Sequence, residues 1–158
     1  MRAHPCSLLA LAAILAFSAS APADPTAERG RYLVQISGCN DCHTAGYLMA
    51  PEQVPESTWL QGEQLGWSGP WGTTYASNLR LLLPKLSEDE WVALARSANY
   101  RPPMPNHVLR ILADEDLRSI HRFVAQLGEA GEPAPSALPP GQPAVGPVVV
   151  FPSPPNKP

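Results

Sequence analysis

The stretch SGCNDCHTAGY, residues 37–47, sets two thiols three positions apart and an imidazole directly after the second. No other feature narrows the possible folds as much, because Cys39, Cys42 and His43 must share one local turn and present their side chains together. A Cys-x-x-Cys pair serves zinc binding, dithiol redox chemistry or a local disulfide, and its surroundings decide among them. A structural zinc site wants four thiolate or imidazole ligands; there is no second Cys pair, which leaves only His107 or His121 to complete a set. A thioredoxin-like dithiol expects a strand before the motif, whereas ERGRYLVQI, residues 28–36, reads as helix.

The histidine directly after the second cysteine matches the attachment signature of a c-type haem. Cysteines at i and i+3 on a helical turn can reach two vinyl groups on one porphyrin edge, and the adjacent His43 can turn its ring beneath the iron. Covalent attachment also retains a cofactor in a protein too small to enclose it fully. The start of the chain agrees with such a cofactor, whose thioether bonds are made outside the bacterial cytoplasm. Arg2 precedes the apolar run Leu8–Phe17 and then small residues, the pattern of a secretory signal peptide. That run is too short to span a bilayer. Ala21-Pro22-Ala23 offers a cleavage site, so residues 1–23 are expected to be a leader that removes Cys6 and leaves both remaining cysteines in the motif.

At the other end, residues 133–158 hold 10 of the 20 prolines, with few charges and no apolar period. Residues 132–158 are therefore expected to be an extended, disordered tail or spacer. Between these ends, residues 24–131 suffice for one small core. With 11 Lys and Arg against 14 Asp and Glu, and no basic run, nucleic acid is not an expected partner. No transmembrane segment is expected in the mature chain.

Three helices are predicted. Asp24 and Pro25 suit the cap and first position of one running to Ser37. Ser87 and Glu90 form a capping box for a second, which should stop near Asn99. The third starts at Asp114–Asp116 and carries Leu117, Ile120, Val124 and Leu127 at helical spacing. Residues 44–86 show no sustained period, only glycines and prolines among Trp59, Trp67, Trp71 and Tyr75. A long structureless stretch is tolerable in a compact domain if it wraps a flat apolar macrocycle. The expected fold class is all-α, helices without strands wrapped round one haem.

In order, GRYLVQISGCNDCHT, PPMP with Met104, and DEDLRSIHRFVAQL resemble the class I c-type cytochromes of bacteria over roughly Ala27 to Leu127. That resemblance implies a fold whose first and last helices cross near a haem edge, with Gly30 permitting close approach and Phe123 or Val124 packing there. It also implies His43 as the proximal and Met104 as the distal iron ligand. Met104 lies far enough from His43 for the chain to round the haem edge, and Pro103 and Pro105 restrict its backbone. Met49, six residues from His43, would need too short a loop; His107 is next in line, with Asn106 and His107 making the distal surroundings more polar. His121 is expected to point away from the iron. GPWGTTYASNLR, residues 69–80, looks like the segment of periplasmic dehydrogenase cytochrome subunits that meets the haem propionates, which suggests Trp71, Tyr75 and Arg80 for that role.

The function so implied is a periplasmic one-electron carrier, no enzyme in itself, serving a donor dehydrogenase and an acceptor oxidase or cytochrome. The alternative is a cytochrome c subunit of a periplasmic dehydrogenase or sulfur-oxidising complex. A gas-binding haem sensor is a third class and needs an open or displaceable distal site.

Overall fold

The computed structural model describes residues 24–152, so the expected leader, residues 1–23, lies outside the described residues. Among the described residues the order is α1 (Ala27–Ile36), α2 (Cys39–His43), β1 (Gly66–Gly69), β2 (Gly72–Tyr75), α3 (Leu79–Leu82), α4 (Glu88–Ser97), α5 (Asn106–Ile111), α6 (Asp114–Gln126) and β3 (Val148–Val150). Short 3-10 turns occupy 51–53, 56–58 and 83–85. None of the described helices is long and apolar enough to cross a membrane.

Helix α1 starts two residues later than its sequence suggests. Thr26, not Asp24, is the cap: its backbone is extended and its hydroxyl accepts from the Arg29 amide at 3.0 Å. The helix crosses α6 at Gly30, where a Cβ would overlap the Ser119 carbonyl, so glycine is what lets the two backbones touch. The buried Ser119 hydroxyl closes the crossing, accepting from Thr26 N at 3.2 Å and donating to Glu115 O at 2.8 Å. From this crossing Leu33 and Val34 of α1 meet Leu117, Ile120, Phe123 and Val124 of α6 in the core.

Helix α4 begins with the predicted capping box, both halves of which form. It packs on α6 through Trp91, whose indole N–H donates to Leu117 O at 2.9 Å. Trp59 fills the gap beside Phe123 with an edge-on ring contact at 6.3 Å between centroids.

The expectation of helices without strands needs correction. The fold is predominantly helical but carries a three-stranded sheet in the order β2-β1-β3. Strands β1 and β2 form an antiparallel hairpin from Gly66↔Tyr75 to Gly69↔Gly72, and β3 adds parallel to β1 from Gly66↔Val148 to Ser68↔Val150. Strands of three or four residues are too short to display a period of 2, which is why the sequence did not announce them.

The Pro-rich stretch supplies β3. Its described part, residues 133–152, is extended as expected but docks on its own chain: Leu138 pairs with Thr73, and the Phe151 amide donates to Ser68 O at 2.8 Å. Proline fixes an extended backbone, and the amides left between the prolines are enough to pair with an open sheet edge.

Candidate functional site

Helix α2 is a single turn entered through Gly38 in the left-handed region, at φ 70°. Its inner side is pinned by buried polar groups. The Thr44 hydroxyl donates to Asn40 Oδ1 at 2.7 Å and accepts from Leu60 N at 2.8 Å. Cys39, Cys42 and His43 are left to form part of the wall of a cavity of about 460 Å³. The rest of that wall comes from the hairpin (Trp67, Thr74, Tyr75), from Leu82, Leu83 and Trp91, and from the Met104 segment with Leu109 and Ile120. Volume and apolar lining are those of a cofactor pocket.

His43 is buried, and its Nδ1 lies 2.7 Å from Ser77 O. A carbonyl only accepts, so Nδ1 carries the proton and Nε2 keeps its lone pair. Burial lowers the His43 pKa, with the Ser77 contact opposing it, so the ring stays neutral, as a metal ligand must. Burial pushes the Cys39 thiol up to about 12, and burial, helped by Asp41, raises that of Cys42. All three groups are therefore uncharged at neutral pH, and both cysteines are free thiols. Among the described residues no three His, Cys, Asp or Glu side chains converge on a metal-sized point, so the motif does not assemble a zinc-type cluster. The segment before it is helix α1, the reverse of a dithiol oxidoreductase's strand.

Met104 reaches the same cavity on a loop held by Asn106. The Asn106 side chain accepts from Tyr100 N at 2.8 Å and donates to Tyr100 O at 2.9 Å and Met104 O at 3.3 Å. Its amide is thus spent on backbone and does not make the cavity polar, contrary to the sequence expectation. The alternatives to Met104 lie elsewhere: Met49 is 86% exposed, His107 is exposed and outside the wall, and His121 Nε2 sits 2.8 Å from Leu86 O.

Of the three residues suggested for carboxylate contacts, Tyr75 lines the cavity and the other two do not. Trp71 packs on Phe151 at 5.3 Å between ring centroids. Arg80 is buried and gives its N–H groups to four carbonyls: Trp59 at 2.6 Å, Leu127 at 2.7 Å, Glu129 at 3.0 Å and Glu56 at 3.1 Å. The sequence reading missed Trp67 and Thr74, cross-strand partners that both line the cavity and whose Nε1 and Oγ1 are buried without a partner. Trp71 Nε1 and Asn40 Nδ2 are unpaired too, but outside this wall. The signal that could have found the pair is GWSG-PW-GTTY, two short runs rich in Trp, Thr and Tyr about a two-residue turn.

No family model matches the chain, and no solved structure matches it. Over 128 residues it is 30% identical to a gluconate 2-dehydrogenase cytochrome c subunit of Pantoea cypripedii, a match covering 73% of this chain and 29% of that protein. The chain thus spans under a third of the length of that curated relative. The likeness supports a cytochrome c-like protein at most.

Proposed function

We propose that this chain is a periplasmic one-electron carrier with one covalently attached haem c, which Cys39 and Cys42 would hold through thioethers and whose iron His43 and Met104 would bind. The observation that carries this reading is that a single, mostly apolar cavity is walled by all four residues, although 61 positions separate His43 from Met104. The donor set suits the group: two thiols on one turn, a neutral imidazole with Nε2 available, and a thioether.

When bound, the haem supplies a ferrous/ferric couple, and a thioether ligand sets it toward the ferrous state. The chain's own work is positioning and exclusion of water. Ser77 O fixes the imidazole tautomer, Asn106 holds the loop that presents Met104, and Leu82, Leu83, Leu109 and Ile120 keep the interior dry. Residues 24–131 would be the cytochrome domain and 1–23 the export leader.

A second reading is favoured by the curated relative: the chain is a cytochrome c subunit of a periplasmic dehydrogenase complex. Co-purification of a stoichiometric dehydrogenase from the native source is its expected signature.

Expression in an export-competent, haem-ligating host tests the cofactor. The haem should survive acid acetone extraction of the denatured protein, and Cys39→Ala with Cys42→Ala should abolish that retention. Met104→Ala should erase the weak far-red sulfur-to-ferric-iron band and make the reduced protein bind carbon monoxide. Complete extraction of haem from the wild type rejects the reading; an unchanged spectrum in Met104→Ala rejects the distal ligand.

A further inference from the structure

Ala137 lines the cavity, and it also lines an open depression on the other side, beside Lys85, that shares Tyr75, Ser77 and Leu82 with the cavity. At this point the Pro-rich stretch contributes to the walls of both. The stretch is fastened at both ends of the hairpin. Leu138 exchanges two backbone bonds with Thr73, at 3.1 and 2.8 Å, and its carbonyl also accepts from Arg101 Nη1 at 3.1 Å. Further along, the Gly66 amide donates to Pro147 O at 3.0 Å, β3 pairs with β1, and the Phe151 ring sits against Trp67 at 6.0 Å and Trp71 at 5.3 Å between centroids.

The hairpin is shaped to receive it. A Cβ at Gly72 would overlap the Leu138 carbonyl, so the close approach of the two backbones depends on that glycine. Trp67, against which the Phe151 ring sits and which pairs along its backbone with Val149, and Thr74 opposite it on the hairpin both line the cavity, so the stretch backs the hairpin residues of that wall.

We propose that residues 133–151 close the hairpin end of the cofactor site, Ala137 as part of its wall and Leu138 and Phe151 as the fastenings that hold the lining residues Trp67, Thr74 and Tyr75 in place, so that solvent is kept from that end. The proposal rests on the haem reading above. The segment is then a determinant of the reduction equilibrium, because opening that end to water favours the more highly charged ferric state.

Two full-length holoprotein variants test it. Phe151→Ala removes the ring that covers Trp67, and Leu138→Pro removes the amide that bonds Thr73 O while touching no cavity ligand. Each should keep covalent haem and the sulfur-to-iron band yet shift the reduction equilibrium about tenfold toward the ferric form, 59 mV for a one-electron couple. Each should also weaken the pH dependence of that equilibrium, because the cofactor's carboxylates, once hydrated, couple less strongly to the iron. Variants that retain haem, exchange the Leu138 and Phe151 region amides faster than wild type, and still show the wild-type potential and pH dependence overturn the proposal. So do variants whose amide exchange is as slow as that of the wild type with no change in potential. A wild type without covalent haem overturns the underlying reading instead, and the extraction assay distinguishes that failure from this one.

Discussion

Arg80 offers the sharpest separation of a structural from a cofactor role. The guanidinium is 4% exposed and bridges the 3-10 turn at 56–58, Trp59 and the end of α6 through four carbonyls. Arg80→Met keeps most of the stem's volume and strands those acceptors. A hydrogen bond to a charged group nets about 1.5–3 kcal/mol, and the two shortest alone, at 2.6 and 2.7 Å, set a floor of roughly 3 kcal/mol. Bonds sharing one donor group are not additive, so the expected loss is about 3–5 kcal/mol. For a domain of this size that lowers the melting temperature by roughly 10–20 °C. Arg80→Lys keeps the charge but not the fork and should recover less than half of the loss. Melting the holoprotein by far-ultraviolet circular dichroism, alongside a potentiometric titration across pH, reads both roles. A wild-type melting temperature, or a changed pH dependence of the potential at wild-type stability, would refute the reasoning and return Arg80 to the cofactor carboxylates.

Gly30→Val drives a branched side chain into the Ser119 carbonyl and should cost at least 1–3 kcal/mol by overpacking, read as a lower urea midpoint at unchanged slope. Asn106→Leu frees the Met104 loop: stability should fall by about 1–3 kcal/mol, and the reduced protein should gain partial carbon monoxide binding, which a purely structural residue would not confer. The Glu88 carboxylate is held below its ordinary 4.5, first by its hydrogen bond to Arg122 at 2.6 Å, with Arg118 nearby. A depressed carboxylate stabilises fully above its ordinary value and loses that contribution as pH falls through the lower folded value, so Glu88→Gln should be less stable at pH 7 by up to about 1 kcal/mol and converge with wild type in acid.

What the sequence made legible was local. The Cys-x-x-Cys-His motif is five consecutive residues, the α4 capping box spans four, and α6 repeats its apolar residues over thirteen, long enough for the period to stand out. Helix α5 has six residues and follows three prolines, so no period could show. The sheet was hidden for a further reason: β3 lies about eighty residues beyond β1, and a strand whose partner is distant and whose neighbours are prolines reads as spacer. Trp71 and Arg80 were nominated by residue type within a familiar-looking segment, and type does not fix direction. The hairpin turns Trp67 and Thr74 toward the cavity, while Arg80 opens α3 facing the backbone of the 56–59 turn.

The two proposed iron ligands differ in the same way. His43 is placed by its own turn and needs from afar only the Ser77 carbonyl, so sequence alone locates it. Met104 was inferred from the family resemblance, chain length, the flanking prolines and the helix that follows, with His107 next in line. Helix α5 bears on that choice. It starts at Asn106, whose side chain turns back onto Tyr100 and Met104, and it then presents Val108, Leu109 and Leu112 to the cavity. On a helix of 3.6 residues per turn, Val108, Leu109 and Leu112 share one face, and His107 falls outside it. Bringing His107 to the cavity would require rotating α5, which would withdraw Leu109 from the core and break the Arg96 bond to Leu109 O at 2.9 Å. The packing of α5 therefore supports Met104 over His107 as the proposed iron ligand.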